Sequence, residues 1–226
     1  MNSYESEGSS IRIHVREPEH EPARAGRHPA LLLLHGSGGS VSYWMDRFAP
    51  TLGNFGVAAY APHYFDKTGT QRATAETILD GKHFAAWLTA IRDAVSYIAA
   101  RPSVDPQRIG LLGISLGAYL GLALAAEDSR VDSRTHSRIR AVVELSGGIP
   151  VGWEGRVTAA MPPVLIIHGV QDRVVPVAEA YKLQSLLERN QVPHQTEILS
   201  NESHWFSAAA QPKLLMSCTS FLGRYL

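Results

Sequence analysis

Four short polar stretches carry the residue types of nucleophilic acyl transfer: HGSGG at 35–39, GISLG at 113–117, HGVQDRVVP at 168–176 and SHWF at 203–206. A serine hydroxyl is a weak nucleophile at neutral pH and needs an adjacent base. Histidine suits that role because its unperturbed pKa lies near working pH. A carboxylate then fixes the imidazole tautomer and stabilises the imidazolium. Ser115, His204 and Asp172 supply these groups, in the chain order Ser, Asp, His expected when the nucleophile stands on a sharp strand-to-helix turn. Gly113 and Gly117 meet the need for small neighbours at such a turn. The negative oxygen of a tetrahedral centre requires preorganised N–H donors. The expected pair is the backbone N–H of Leu116, directly after the nucleophile, and that of Ser37 in the glycine-rich turn.

Each of these residues has a plainer reading. The plainer role of Asp172 is a cap on the helix after Pro176, or a partner for Arg173. Glu144, inside the apolar run AVVEL, is the competing carboxylate, either an alternative acid or a buried structural group. His35 and His168 each precede a glycine at a strand end, where an imidazole more often supports loop hydrogen bonds. His63 is a candidate pocket residue, and His14, His20, His28, His83, His136 and His194 lie in surface or strand-edge contexts. Tyr64, Trp153 and Trp205 are the aromatic residues expected to touch substrate. No pair of histidines has metal-ligand spacing, so neither a metal nor another cofactor is expected.

Strand-like and helix-like runs alternate around these stretches. PALLLLHG (29–36), GVAAYAP (56–62), RIGLLGI (108–114), IRAVVELSG (139–147) and PVLIIHG (163–169) are continuous apolar runs, as expected of strands buried on both faces of a parallel sheet. IRIHV (11–15) is expected as an edge strand and HQTEIL (194–199) as a last strand. Helical patterns cover 42–53, 83–101, 115–127, 177–190 and 213–226. In the 83–101 segment Trp87, Ile91, Val95 and Ile98 share one face. This alternation predicts a doubly wound, mainly parallel α/β sheet with helices on both faces. The chain has no internal repeat or linker, so residues 1–226 are expected to form one domain. In such sheets ligands bind beyond the carboxyl ends of the strands, and all four polar stretches fall on that edge.

Composition narrows the chemistry further. Lys plus Arg (21) balances Asp plus Glu (21), so nothing points to nucleic acid or to a membrane surface. The apolar share of 45% and the charged share of 19% are those of an ordinary globular protein. A single cysteine, Cys218, excludes an internal disulfide. The opening MNSYESEGSSIRIHV lacks a basic start followed by an apolar run, and no apolar stretch is long enough to span a bilayer. A soluble, cytoplasmic protein acting on a small-molecule ester is the expectation.

With GISLG as a nucleophile elbow, HGSGG as an oxyanion turn, HGVQDRVVP as an acid loop and SHWF as a histidine loop, the chain resembles the α/β-hydrolase superfamily over essentially its whole length. It is most similar to the dienelactone hydrolase family, on its compact size, the YAPHYFD segment after a strand and the lack of a long insertion. That resemblance implies an α/β-hydrolase fold without a large cap domain. One position departs from the family. Dienelactone hydrolases commonly carry a cysteine nucleophile, whereas the elbow here holds Ser115, which moves the expectation from lactones to carboxylic esters in general. A peptidase or thioesterase is the second enzyme reading, because one fold hosts many activities. A non-catalytic ligand-binding scaffold is the reading from another class. Such a scaffold is expected to lack a triad member or a turn glycine, and here all are present.

Overall fold

The computed structural model describes residues 1–19, 26–128 and 138–226. His20, His136 and the polar stretch DSRVDSRTHSR to which His136 belongs, apart from its ends, lie outside the described residues. The strands are β1 (Asn2–Ser6), β2 (Ser9–Arg16), β3 (His28–Leu34), β4 (Ala58–Pro62), β5 (Val104–Ile114), β6 (Ile139–Leu145), β7 (Val164–Gly169) and β8 (His194–Leu199). They form one sheet in the order β1-β2-β4-β3-β5-β6-β7-β8. β1 and β2 pair antiparallel, β2 joins β4 antiparallel, and the remaining neighbours are parallel. The sequence expectation of an α/β-hydrolase fold, mainly parallel with helices on both faces, holds.

Strand β3 shows why the apolar runs become central strands. Successive side chains point to opposite faces, so Ala30, Leu32 and Leu34 enter one core layer while Leu31 and Leu33 enter the other. Helices α3 (His83–Ala99), α4 (Leu116–Asp128) and α5 (Ala178–Arg189) cover the first face. Helices α1 (Val41–Asn54) and α6 (Gln211–Tyr225) cover the second. Helix α4 is apolar around almost its whole circumference, buried at every position from Leu116 to Ala126 except Tyr119, as suits a helix enclosed by its neighbours.

Strand order reverses at β3. The chain leaves β3 through α1 on one face to reach β4, then crosses back to β5 on the other side of β3 and leaves through α4 on the opposite face. Beyond the carboxyl ends of β3 and β5 the two departing connections diverge, the topological switch point at which open α/β sheets form a ligand crevice. HGSGG follows β3 and GISLG closes β5, so both stretches border that crevice.

Three elements differ from the sequence expectation. The run IRIHV is second from the edge, because β1 forms a hairpin with β2 and takes the edge position. Glu7 and Gly8, the two turn residues, both have positive φ (43° and 81°), the conformation that matches the twist of a two-residue hairpin. The loop after β4 also contains a 3₁₀ turn at Tyr64–Thr68 and a short helix, α2 (Ala75–Leu79).

Candidate active site

Ser115 stands between β5 and α4 with φ 52°, one of the few non-glycine residues in the left-handed region. A residue held there is strained and persists only where its surroundings fix it. Its N–H donates to the Leu145 carbonyl of β6 at 2.9 Å, and its carbonyl accepts from the N–H groups of Ala118 (2.9 Å) and Tyr119 (3.2 Å). The turn is crowded. A Cβ at Gly113 meets the Gly117 backbone, and one at Gly117 meets the carbonyl oxygens of Leu34 and His35. Any larger residue at either position pushes the elbow off the sheet.

Asp172 lies in the loop after β7, with its side chain fully buried. Its Oδ1 accepts the N–H groups of Val174 and Val175, both at 2.8 Å. Its Oδ2 lies 2.7 Å from Nδ1 of His204. The carboxylate therefore folds its own loop with one oxygen and meets the imidazole with the other. It does not cap α5 or pair with Arg173, the two plainer roles. A hydrogen bond at Nδ1 leaves Nε2 of His204 as the free basic nitrogen. Among the described residues neither that nitrogen nor the Ser115 hydroxyl has a hydrogen-bond partner. The histidine loop is anchored to the acid loop by Gln171 N–H donating to the Glu202 carbonyl at 2.9 Å.

A second imidazole underlies the acid. Nε2 of His168, fully buried, donates to the Val175 carbonyl at 2.9 Å and lies 3.3 Å from Asp172 Oδ2. It supports the loop, as its place before a glycine suggests. His35 does the same for the glycine-rich turn. Its Nδ1 donates to the Gly36 carbonyl at 2.8 Å, and burial pushes its pKa down to about 4, so the ring is neutral. A Cβ placed on Gly36 comes within 3.4 Å of the Ser115 Cβ, which measures how closely the turn approaches the elbow. Among the described residues the N–H groups of Ser37 and Leu116 donate to no protein acceptor. That of Leu116 is one of the first-turn donors a helix leaves unpaired.

The three aromatic residues meet different fates. Trp205 is 60% exposed, its ring edge-on to His204 with centroids 5.1 Å apart. It borders an open cleft of about 540 Å³ between the acid and histidine loops. Trp153 is half-buried, stacked under the Arg156 guanidinium at 4.1 Å and packed against the core. Tyr64 corrects the expectation of substrate contact. It is fully buried, its hydroxyl donates to the His35 carbonyl at 2.6 Å, and its ring stacks on that of His35. It braces the glycine-rich turn from behind. Cys218 is buried in α6, with its thiol pKa pushed up by burial.

Glu144 lies at the end of β6 with no exposed surface, and its Oε1 accepts the Gly147 N–H. It makes no hydrogen bond or ion pair with His204, whose Nδ1 is taken by Asp172, so the alternative-acid reading has no geometric support. Ser146, two residues on, gives no signal in the sequence. It has φ 51°, and its hydroxyl donates to the His204 carbonyl at 3.4 Å.

Comparison with known proteins bears on the family and the fold. Residues 19–218 match the family model described as the dienelactone hydrolase family. A Bacillus subtilis protein named as the uncharacterized peptidase YtmA is 23% identical over 89% of this chain and 86% of its own length. Two solved structures share the fold at low identity. One is a dienelactone hydrolase-like promiscuous phosphotriesterase, P91, from metagenomic libraries (TM-score 0.78, 19% identity, 99% of this chain and 96% of that one). The other is Est1E from Butyrivibrio proteoclasticus (TM-score 0.75, 17% identity, 99% and 97%). Among the described residues no helix is long and apolar enough to cross a membrane. With its strand order, elbow and family match together, the chain belongs to the dienelactone hydrolase family of α/β-hydrolases.

Proposed function

We propose that this protein is a metal-free serine hydrolase that cleaves small to medium carboxylic esters through an acyl-enzyme. The observation that carries the reading is the buried 2.7 Å contact between Asp172 and His204, on the same sheet edge as a serine in a left-handed elbow. In this reading the Ser115 hydroxyl oxygen attacks the ester carbonyl carbon and its proton passes to Nε2 of His204. The N–H groups of Leu116 and Ser37 receive the resulting oxyanion, each worth roughly 3 kcal/mol of barrier. Collapse of the tetrahedral centre breaks the bond to the alcohol, which leaves with the proton from His204. Water then repeats the sequence on the acyl-enzyme and frees the acid. Asp172 holds the imidazole in the required tautomer throughout.

The surroundings favour modest substrates. Val174, 65% exposed, separates the cleft beside His204 from a second groove of about 830 Å³ along α5, and Trp205 stands opposite. Both clefts are open, and the segment from Ser146 to Pro163 is too short to build a helical cap over them. A dienelactone is itself a cyclic ester, so the family name and this reading concern the same bond type. The test is a burst-phase assay with p-nitrophenyl acetate, butyrate and hexanoate beside Ser115→Ala. A stoichiometric burst that vanishes in the variant, with an unchanged circular dichroism spectrum, is the expected outcome. Equal turnover by both proteins sinks the assignment.

A further inference from the structure

The turn that follows β6 is joined to both halves of the proposed machinery. Leu145 accepts the N–H of Ser115 at 2.9 Å, and Ser146 donates its hydroxyl to the His204 carbonyl at 3.4 Å. Ser146 itself is strained, with φ 51°, close to the 52° of Ser115 on the neighbouring strand. Two left-handed serines thus stand at adjacent strand ends, and the end of β6 with its turn bonds to Ser115 on one side and to His204 on the other. What closes this turn is Glu144, whose Oε1 accepts the Gly147 N–H. We propose that Glu144, as a neutral carboxylic acid, is a positioning residue that clamps this turn and so holds Ser115 and His204 in register. The proposal rests on the serine-hydrolase reading above.

The surroundings of the carboxyl group explain why it is neutral. It has no exposed surface, and Oε2 has no partner among the described residues. A carboxylate there has one N–H donor and no cation, which leaves its charge uncompensated. Glu144 shares its sheet face with Val142, between Gly113 of β5 and Ile166 of β7 in register. Among the described residues the titratable groups nearest Glu144 on this face are Tyr119 of α4, His168 of β7, Asp172 of the acid loop and, beyond Tyr119, Glu179 of α5. Helix α6 packs on the opposite face. Asp172 adds a negative charge nearby. Burial first and Asp172 second push the Glu144 pKa up to about 8, against the pull of the Gly147 N–H.

Ionisation therefore has a predictable consequence. A second buried negative charge repels Asp172 and disfavours a negative oxygen forming at Ser115. With p-nitrophenyl butyrate, kcat of the full-length protein is expected to fall roughly tenfold above pH ~8, with little change in KM. Glu144→Gln accepts the same N–H and cannot ionise. It should keep its pH 7 rate within about threefold and lose the alkaline fall. Glu144→Ala opens the turn and should lower kcat at every pH.

An alkaline fall that survives in Glu144→Gln overturns the proposal, as does a Glu144→Ala variant with wild-type kcat and KM. Infrared difference spectra give a readout independent of turnover. A protonated carboxyl band at pH 7, absent from Glu144→Gln and lost toward pH 10, is expected; its absence from the wild type at pH 7 refutes a neutral Glu144. If the wild type turns over no faster than Ser115→Ala, the serine-hydrolase reading falls and takes the positioning role with it. The infrared band then still reports the charge state.

Discussion

At the scale of single residues, the division of labour within the Asp172 carboxylate makes a specific prediction. One oxygen accepts two backbone N–H groups and the other faces Nδ1 of His204. In Asp172→Asn the amide oxygen can keep the two loop bonds, but the amide NH₂ then points at His204 and forces the wrong tautomer. The fold should survive while kcat on p-nitrophenyl butyrate drops by about 10³–10⁴. A loss of less than about tenfold means that another group orients the base, and His168, 3.3 Å from the same oxygen, is the first to examine. Tyr64 makes the complementary case. Its hydroxyl satisfies the carbonyl of His35 at the root of the glycine-rich turn. Tyr64→Phe leaves that buried oxygen without its donor, at a cost of about 1–3 kcal/mol in urea unfolding. Because the turn carries the Ser37 N–H, the same variant should lower kcat more than it alters KM.

At the scale of elements, the first turn of α4 is pressed against the carboxyl end of β3, because Gly117 has carbonyl oxygens of Leu34 and His35 where a side chain would begin. Gly117→Ala is expected to destabilise by about 3 kcal/mol or more, read as a lower urea midpoint with unchanged slope; a stability within error of wild type contradicts this packing. That close approach was legible from the spacing of GISLG, and the central strands were legible because runs such as ALLLL suit only a strand buried on both faces. Strand β1 was not, since NSYES offers one aromatic, Tyr4, and its inward direction depends on a hydroxyl bonded to Ala90, 86 residues away. The burial of Tyr64 is illegible in the sequence for a related reason. An aromatic just past a strand end can face the crevice or the core, and only the distant partner at His35 decides. The turn after β6 gave half a signal: a glutamate in an apolar strand was conspicuous, whereas nothing about a serine announces a left-handed backbone at Ser146.

At the scale of the whole molecule, two buried groups on either side of β5, His35 just past β3 and Glu144 on β6, should shape stability against pH with opposite signs. His35 has its pKa lowered from 6.5 to about 4 in the folded state. The unfolded chain therefore binds the proton first, and stability is lost as pH falls from 6.5 toward 4. Glu144 has its pKa raised from 4.5 to about 8. Here the folded state holds the proton longer, so stability is lost as pH rises from 4.5 toward 8. Between 4.5 and 6.5 the two slopes oppose one another, and between 6.5 and 8 Glu144 acts alone. Urea unfolding should thus show a shoulder near pH 5–6 and then a decline of ~2 kcal/mol by pH 8. Glu144→Gln separates the two contributions. It should abolish the decline above pH ~6.5 and, because the opposing slope is gone, make the acid side fall more steeply between pH 6.5 and 4.5. A variant that flattens only the alkaline side leaves His35 without its assigned role. One that flattens neither side locates the buried charge somewhere other than β6.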